Sequence, residues 1–425
     1  DLGQGWNLYA ADLKRAKPAK FTGSEGQAVT PSQAPPEQPK AKPRGEYGIV
    51  SPQLALPAFV KPEGTLSIEV ISPVQDSPTS ATSVEWKIRL FPKIGSSEAS
   101  AISLTPHKAI ALPDGRWSME ATIPEDTPIN LYDLAVSALC GNTLLMEDRQ
   151  PNAVSITTVD PEDSVFAIIS DIHLNNPKSS GDDPEAPLNT LLLEVIEELN
   201  LIQPDFVVLL GDLVESNADT YHRDFDDMWN ILDGYAKFPV FAVMGNHDGQ
   251  RVGEVDGFEY FQRHFGPLYH SFDWGGRHFA LVNTYEPPAH PSDNGVIGRE
   301  QLKWLDSDLH FASSAGQKIA VMLHHNPFDD RWVFMDEGRE QLVEVLERYG
   351  ARYVFAGHRH SDQLEQTELT KIITTRTAQA ASRDMAGYRV IRIEDGYIAS
   401  VHYIMPKSSK PLGTTNMGLE AEGRD

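Results

Sequence analysis

Five short clusters of metal-ligating side chains mark the second half of this 425-residue chain. They are Asp171-Ile172-His173, Gly211-Asp212, Gly245-Asn246-His247-Asp248, His324-His325 and Gly357-His358-Arg359-His360. Carboxylate, imidazole and amide oxygens without sulfur suit a borderline cation such as Mn, Fe, Zn, Co or Ni, and the imidazoles argue against Mg or Ca. Gly211, Gly245 and Gly357 each precede a ligand-type residue and leave room beside the chain for an ion. Asp-x-His or Gly-Asp alone occurs by chance. All five clusters in this order, each directly after an apolar run, are very improbable by accident.

Those apolar runs are the elements that must position the clusters. Val165 to Ile169, Phe206 to Leu210, Phe241 to Met244, Phe279 to Val282, Ile319 to Leu323 and Tyr353 to Phe355 read as buried strands. Leu191, Leu192, Val195, Ile196 and Leu199 share one helical face. Further helical stretches cover about 222–235, 299–311 and 337–349, the last closed by Gly350. Strands alternating with helices predict an α/β layered domain over 161–405 with its ligands at strand C-terminal ends, where open α/β sheets hold their sites.

Residues 46–160 instead alternate apolar and polar positions over short runs, as in Val84, Trp86, Ile88 and Leu90. Turns such as Pro113-Asp114-Gly115 and Gly141-Asn142 separate the runs. This predicts an all-β sandwich of immunoglobulin or fibronectin type III kind, a separate folding unit with no share in the chemistry. Residues 1–45 are basic and proline-rich and read as a tail or linker, within which Trp6, Leu8 and Tyr9 form a short apolar group suited to docking. Residues 406–425 read as a second tail.

The net charge is −25, and no basic channel is visible, which disfavours a nucleic-acid partner. No apolar run reaches the roughly 20 residues of a membrane helix. Cys140 is the single cysteine, so neither an intrachain disulfide nor a thiolate cluster forms. The added β-domain and a first residue other than Met lean toward an exported protein.

The five clusters resemble the pattern Asp-x-His, Gly-Asp, Gly-Asn-His-(Asp/Glu), His, Gly-His-x-His of the calcineurin-like metallophosphoesterase superfamily, over about residues 164–405. The resemblance implies a four-layer αββα sandwich around two metal ions, expected to be Mn, Fe or Zn. One ion would take Asp171, His173 and His360, the other Asn246, His324 and His358, with Asp212 bridging them. His324 and His325 compete for one ligand position. Aligning Phe328 after His324-His325-Asn326-Pro327 favours His324 and leaves His325 as a support or substrate contact.

The segment Phe265-Gly266-Pro267-Leu268-Tyr269, with Ser271-Phe272-Asp273 and His278-Phe279 after it, is similar to class III cyclic-nucleotide phosphodiesterases and to purple acid phosphatases. In the latter a tyrosine three residues after the bridging Asp ligates ferric iron. Glu215 stands there in this chain, and His173 stands where those enzymes lack a histidine, so a ferric-tyrosinate centre is not expected.

The activity implied is hydrolysis of small phosphomono- or phosphodiesters by a metal-bridging hydroxide. Asn246, His247 and His325 would contact substrate, His247 serving as proton donor and Asp248 orienting its ring. A nuclease of the same superfamily shares Gly-Asn-His-Asp but conflicts with the acidic charge. A noncatalytic binding protein on this fold would be expected to have lost ligands, and none is lost.

Overall fold

The computed structural model describes residues 34–73, 84–95, 100–158, 163–176, 190–286, 293–329, 333–334, 338–379, 386–395, 397–404 and 406. The apolar group at Trp6 to Tyr9 and nearly all of the expected C-terminal tail lie outside them.

Two five- and six-stranded sheets stack face to face in the C-terminal half. The first has Val240–Val243, Phe206–Leu210, Ser164–Ile169, Tyr388–Glu394 and Tyr397–Ile404 in that order, and the first three run parallel. The second has His270–Trp274, Arg277–Val282, Lys318–Leu323, Tyr353–Ala356, Lys371–Thr374 and Gln363–Gln366, with its central four parallel.

Period-two side-chain alternation sorts each strand into two cores. Phe166, Ile168, Phe206, Val208, Leu210, Phe279, Leu281, Met322 and Phe355 fill the space between the sheets. The alternate residues Ala167, Ile169, Val207 and Leu209 face outward onto helices α1 (Thr190–Ile202), α2 (Tyr221–Tyr235) and α3 (Gly257–Phe265). On the other side Ala280, Val282, Val321, Leu323 and Val354 meet α4 (Arg299–Ser314) and α5 (Arg339–Arg348). Burial on both faces explains why these strands read as unbroken apolar runs. The result is the αββα layering expected from the sequence.

Residues 48–156 form a β-sandwich. Its four-stranded sheet places Gly48–Ser51, Thr65–Ile71, Arg116–Thr122 and Pro106–Ala111 side by side. The five-stranded sheet is built on the long hairpin Asn130–Cys140 and Thr143–Ile156. Trp86, Ile88 and Leu90 point into the core between them, as their alternation requires.

The sandwich does not stand apart from the layered body. Leu54 and Ala55 are fully buried within the core under α2 and α3, and the Phe59 ring lies 4.5 Å from that of Trp274. Asn152 donates from its side chain to the carbonyl of Ala236, and Lys93 pairs with Asp233 at 2.9 Å. The stretch read as linker also docks in its described part. Gln38 exchanges two hydrogen bonds with Ser271, while Arg44 pairs with Asp226 at 2.6 Å and covers the Trp229 ring. Proline-rich composition excludes regular structure but not an extended strap held by side-chain contacts.

Candidate metal centre

The parallel strands bring their C-terminal ends to one edge of the stacked sheets, and there the chain turns sharply. Ten described residues other than glycine have left-handed backbone, and five of them are Asp171, His173, Asp212, His358 and His360. Each such residue costs of order 1 kcal/mol and persists where surrounding contacts over-determine it. Those contacts are visible: the Asp171 and His173 N–H groups donate to the carbonyls of Gly211 and Asp212, and the His358 N–H donates to the Asp171 carboxylate at 3.0 Å. The Thr377 hydroxyl adds a bond to the Asp171 carbonyl.

The glycines are a condition of this approach. A Cβ at Gly245 would collide with the Asp212 backbone and carboxylate, one at Gly211 with the His324 ring, and one at Gly357 with Ser170 and Asp171.

Asp171, His173 and His360 converge on one point. The two imidazole Nε2 atoms lie 3.0 Å apart and His360 Nε2 is 3.2 Å from Asp171 Oδ1. A few ångströms away His324, His325 and His358 form a second group, and His358 Nδ1 lies 3.1 Å from Asn246 Oδ1. Asp212 sits between the two groups. Its Oδ2 is 3.7 Å from His173 Nε2 and 3.2 Å from His324 Nε2.

The donor set suits cations. Asp171 and Asp212 are almost wholly buried, and their ion-pair partners among the described residues are the histidines His173, His324 and His360. His324 is the sharpest indicator. Its Nδ1–H donates to the Leu210 carbonyl at 2.6 Å, which directs the Nε2 lone pair at the two carboxylates, and that buried atom has no hydrogen-bond partner. A lone pair facing two anions is repulsive unless positive charge lies between them. Without a metal ion that charge is a proton: burial opposes it, but Asp212 and Asp171 raise the His324 pKa to about 9. The same exchange holds Asp212 well below its ordinary value against the cost of its burial. A metal ion supplies the charge without the proton.

Two of the expected site residues have contacts that bear on the roles expected of them. Asp248 does not touch the His247 ring. It is fully buried, and its carboxylate accepts the N–H groups of Leu213, Val214 and Gly245, tying the loop of Asp212 to that of Asn246. Burial and the nearby Asp212 charge push its pKa up to about 6. Consecutive side chains diverge, so adjacency to His247 gave no contact. The groups that meet His247 Nδ1 are Ser216 Oγ at 3.0 Å and Glu215 Oε1 at 3.5 Å, with the other Glu215 oxygen 3.1 Å from His173 Nδ1.

His325 has both ring nitrogens engaged by the protein. It is wholly buried, with Nδ1 against the Thr284 hydroxyl at 2.9 Å and Nε2 against the Asp293 carbonyl at 3.1 Å. Its ring supports that of His358, 4.5 Å away between centroids. Ser216, Thr284 and Thr377 lie outside the residues expected from the sequence, and each reaches its partner from a remote stretch of the chain.

Residues 164–362 match the calcineurin-like phosphoesterase family. The serine/threonine-protein phosphatase CPPED1 of Mus musculus is 28% identical over 265 residues, spanning 58% of this chain and 83% of that protein. Purple acid phosphatase 15 of Arabidopsis thaliana is 24% identical over 204 residues, 40% of this chain and 37% of its own length. Among solved structures, purple acid phosphatase PPD1 from yellow lupin (Lupinus luteus) seeds superposes with a TM-score of 0.52 at 13% identity, covering 88% of this chain and 72% of that one. The last likeness is one of fold and extends over the sandwich.

Proposed function

We propose that this metal-dependent phosphoric ester hydrolase, whose residues 164–362 match the calcineurin-like phosphoesterase family, has a dinuclear centre acting on a small phosphoester. The observation that carries this reading is the placement of Asp212 between two ligand groups, with the bare His324 Nε2 turned toward it. Asp171, His173 and His360 would hold one ion; Asn246, His324 and His358 the other; Asp212 both. When bound, such a pair lowers the pKa of water and neutralises charge on the phosphoryl group.

The remaining work falls to the protein. The His247 side chain is about one-quarter exposed, the accessibility that a group meeting substrate requires. Its Nδ1 is engaged by Ser216 and Glu215, so Nε2 is the atom that serves the substrate, donating a proton or strong hydrogen bond to the leaving oxygen. Glu215 spans the two rings, one oxygen facing His247 Nδ1 and the other His173 Nδ1. The net charge of −25 favours a small substrate over a nucleic-acid backbone.

Elemental analysis of chelator-free protein should give near two equivalents of transition metal per chain. Chelation should remove both the metal and the hydrolysis of a panel of phosphomonoesters, phosphodiesters and cyclic nucleotides. A metal-free protein that stays active would refute the proposal.

A further inference from the structure

Tyr221 opens α2, its ring packed in the helix-layer core edge-on to Phe225 at 5.2 Å between centroids. Its hydroxyl reaches three carbonyl oxygens of a single turn, those of Asp248 at 2.7 Å, His247 at 2.9 Å and Gln250 at 3.2 Å. That turn carries Asn246 and His247. Carbonyls aimed at a common point repel one another, and one buried proton among them offsets the repulsion. Burial and the Asp248 charge hold the phenol above its ordinary pKa, so the proton stays in place throughout the working pH range.

The opposite face of the turn is fixed independently, by Asp248 on the N–H groups of Leu213, Val214 and Gly245. Tyr221 thus closes a clamp of which Asp248 is the other jaw. Gly257 makes the closure feasible: a Cβ there would press on the Tyr221 hydroxyl and on the carbonyls of Asp248 and Gln250. The Tyr221 hydroxyl is also wholly outside the ligand set, so its effect on the reaction can only pass through the turn.

We propose that Tyr221 is a positioning residue for hydrolysis, its hydroxyl holding the 246–250 turn where the His247 ring meets both Ser216 and the substrate. The inference rests on the proton-donor reading of His247. The test compares Tyr221→Phe, His247→Ala and the double variant for metal content, melting temperature, KM and kcat, using a nitrophenyl and an alkyl phosphoester. Tyr221→Phe keeps the ring packing, so metal content and KM should stay within about two-fold of the parent. Its kcat should fall roughly ten-fold for the alkyl ester and less for the nitrophenyl ester, whose leaving group needs little help. In the His247→Ala background the same substitution should have no further effect. Gly257→Ala, whose Cβ would press on the Tyr221 hydroxyl and on the same carbonyls, should reproduce the split between the esters.

Unchanged kcat in Tyr221→Phe alongside a damaged His247→Ala overturns this inference alone. Multiplicative losses in the double variant, or metal loss in Tyr221→Phe, overturn it too, because the hydroxyl then acts on the fold or the ligands. If His247→Ala itself turns over both esters normally, the donor role fails first and this inference with it.

Discussion

The sandwich of residues 48–156 and the layered body that follows are both stacked pairs of sheets with apolar side chains between them, yet among the described residues metal-ligand groups gather in only one. The difference lies in strand direction. Nearly all pairs in the sandwich are antiparallel, and its hairpins close at Leu112–Arg116 and Cys140–Thr143, so each end of a sheet mixes strand starts with strand ends. Its charged side chains pair across solvent-facing strands, as Arg116 does with Glu69 and Lys108 with Glu120. In the body Ser164–Ile169, Phe206–Leu210 and Val240–Val243 run parallel, as do the central four strands of the other sheet, so successive strands deliver their C-terminal loops to one edge. Sheet content gives a core; parallel order gives a place where distant loops meet.

The contrast predicts that substitutions at the shared edge abolish chemistry, whereas those at the joint between the regions cost stability. The largest effect belongs to Asp212→Asn, which removes the charge between the two ligand groups. Turnover should drop roughly 10³-fold or more and elemental analysis should show the greatest metal loss of any single ligand change. Next comes Leu54→Ala, in a residue of the sandwich segment that is wholly buried under the body's helices. Urea unfolding should show a loss of about 3 kcal/mol with metal content retained. For the same reason a chain begun at residue 163 exposes apolar surface on the body and should aggregate or melt at lower temperature. A truncated form as stable as the parent would instead support the expectation of a self-sufficient catalytic half.

A smaller effect is pH-dependent. His278 is buried between Asp273 and Asp308, 2.7 Å from each, and although burial opposes it these carboxylates raise its pKa to about 9. A histidine protonated more readily in the fold than in the unfolded chain contributes fully below pH about 6.5. The contribution, on the order of 3 kcal/mol, is lost as pH rises through about 9. The stability gap between the parent and His278→Gln, measured by urea unfolding, should therefore be widest near pH 6 and vanish near pH 10. The smallest expected signal concerns colour: with Glu215 three residues after Asp212, iron-loaded protein should lack a strong visible charge-transfer band, and a purple preparation would refute the alignment at 212–215.

Much of this architecture was legible because strands buried on both faces must be apolar throughout. Val165 to Ile169 and Ile319 to Leu323 needed no periodicity to be recognised. Short elements such as Ala58–Val60, His270–Trp274 and Gln363–Gln366 offer too few residues for a period, and the nine-residue α3 was hidden by its aromatic residues. The ligand candidates were visible because each directly follows an apolar run. The partners of His247 were not, since Ser216 lies 31 residues earlier and reaches it only through the parallel neighbouring strand. Leu54, the strap residue Gln38 and the distant Thr377 carry no local sign of what they touch, for docking is a property of the assembled surface.

The distance along the chain between groups that meet at the edge has a consequence for folding. His173 and His360 are separated by 187 positions, and Asp171 lies equally far from the His358 N–H that donates to it. Bringing such remote segments together is an entropic cost borne before any ligand contact forms, which makes assembly of the edge a late, slow event. Short local stretches of the unfolded chain offer at most two or three donors, so a cation cannot nucleate folding as it does when its ligands lie close in sequence. It binds a nearly finished molecule, and its binding free energy then acts as a clasp on a loop of almost two hundred residues, chiefly slowing unfolding.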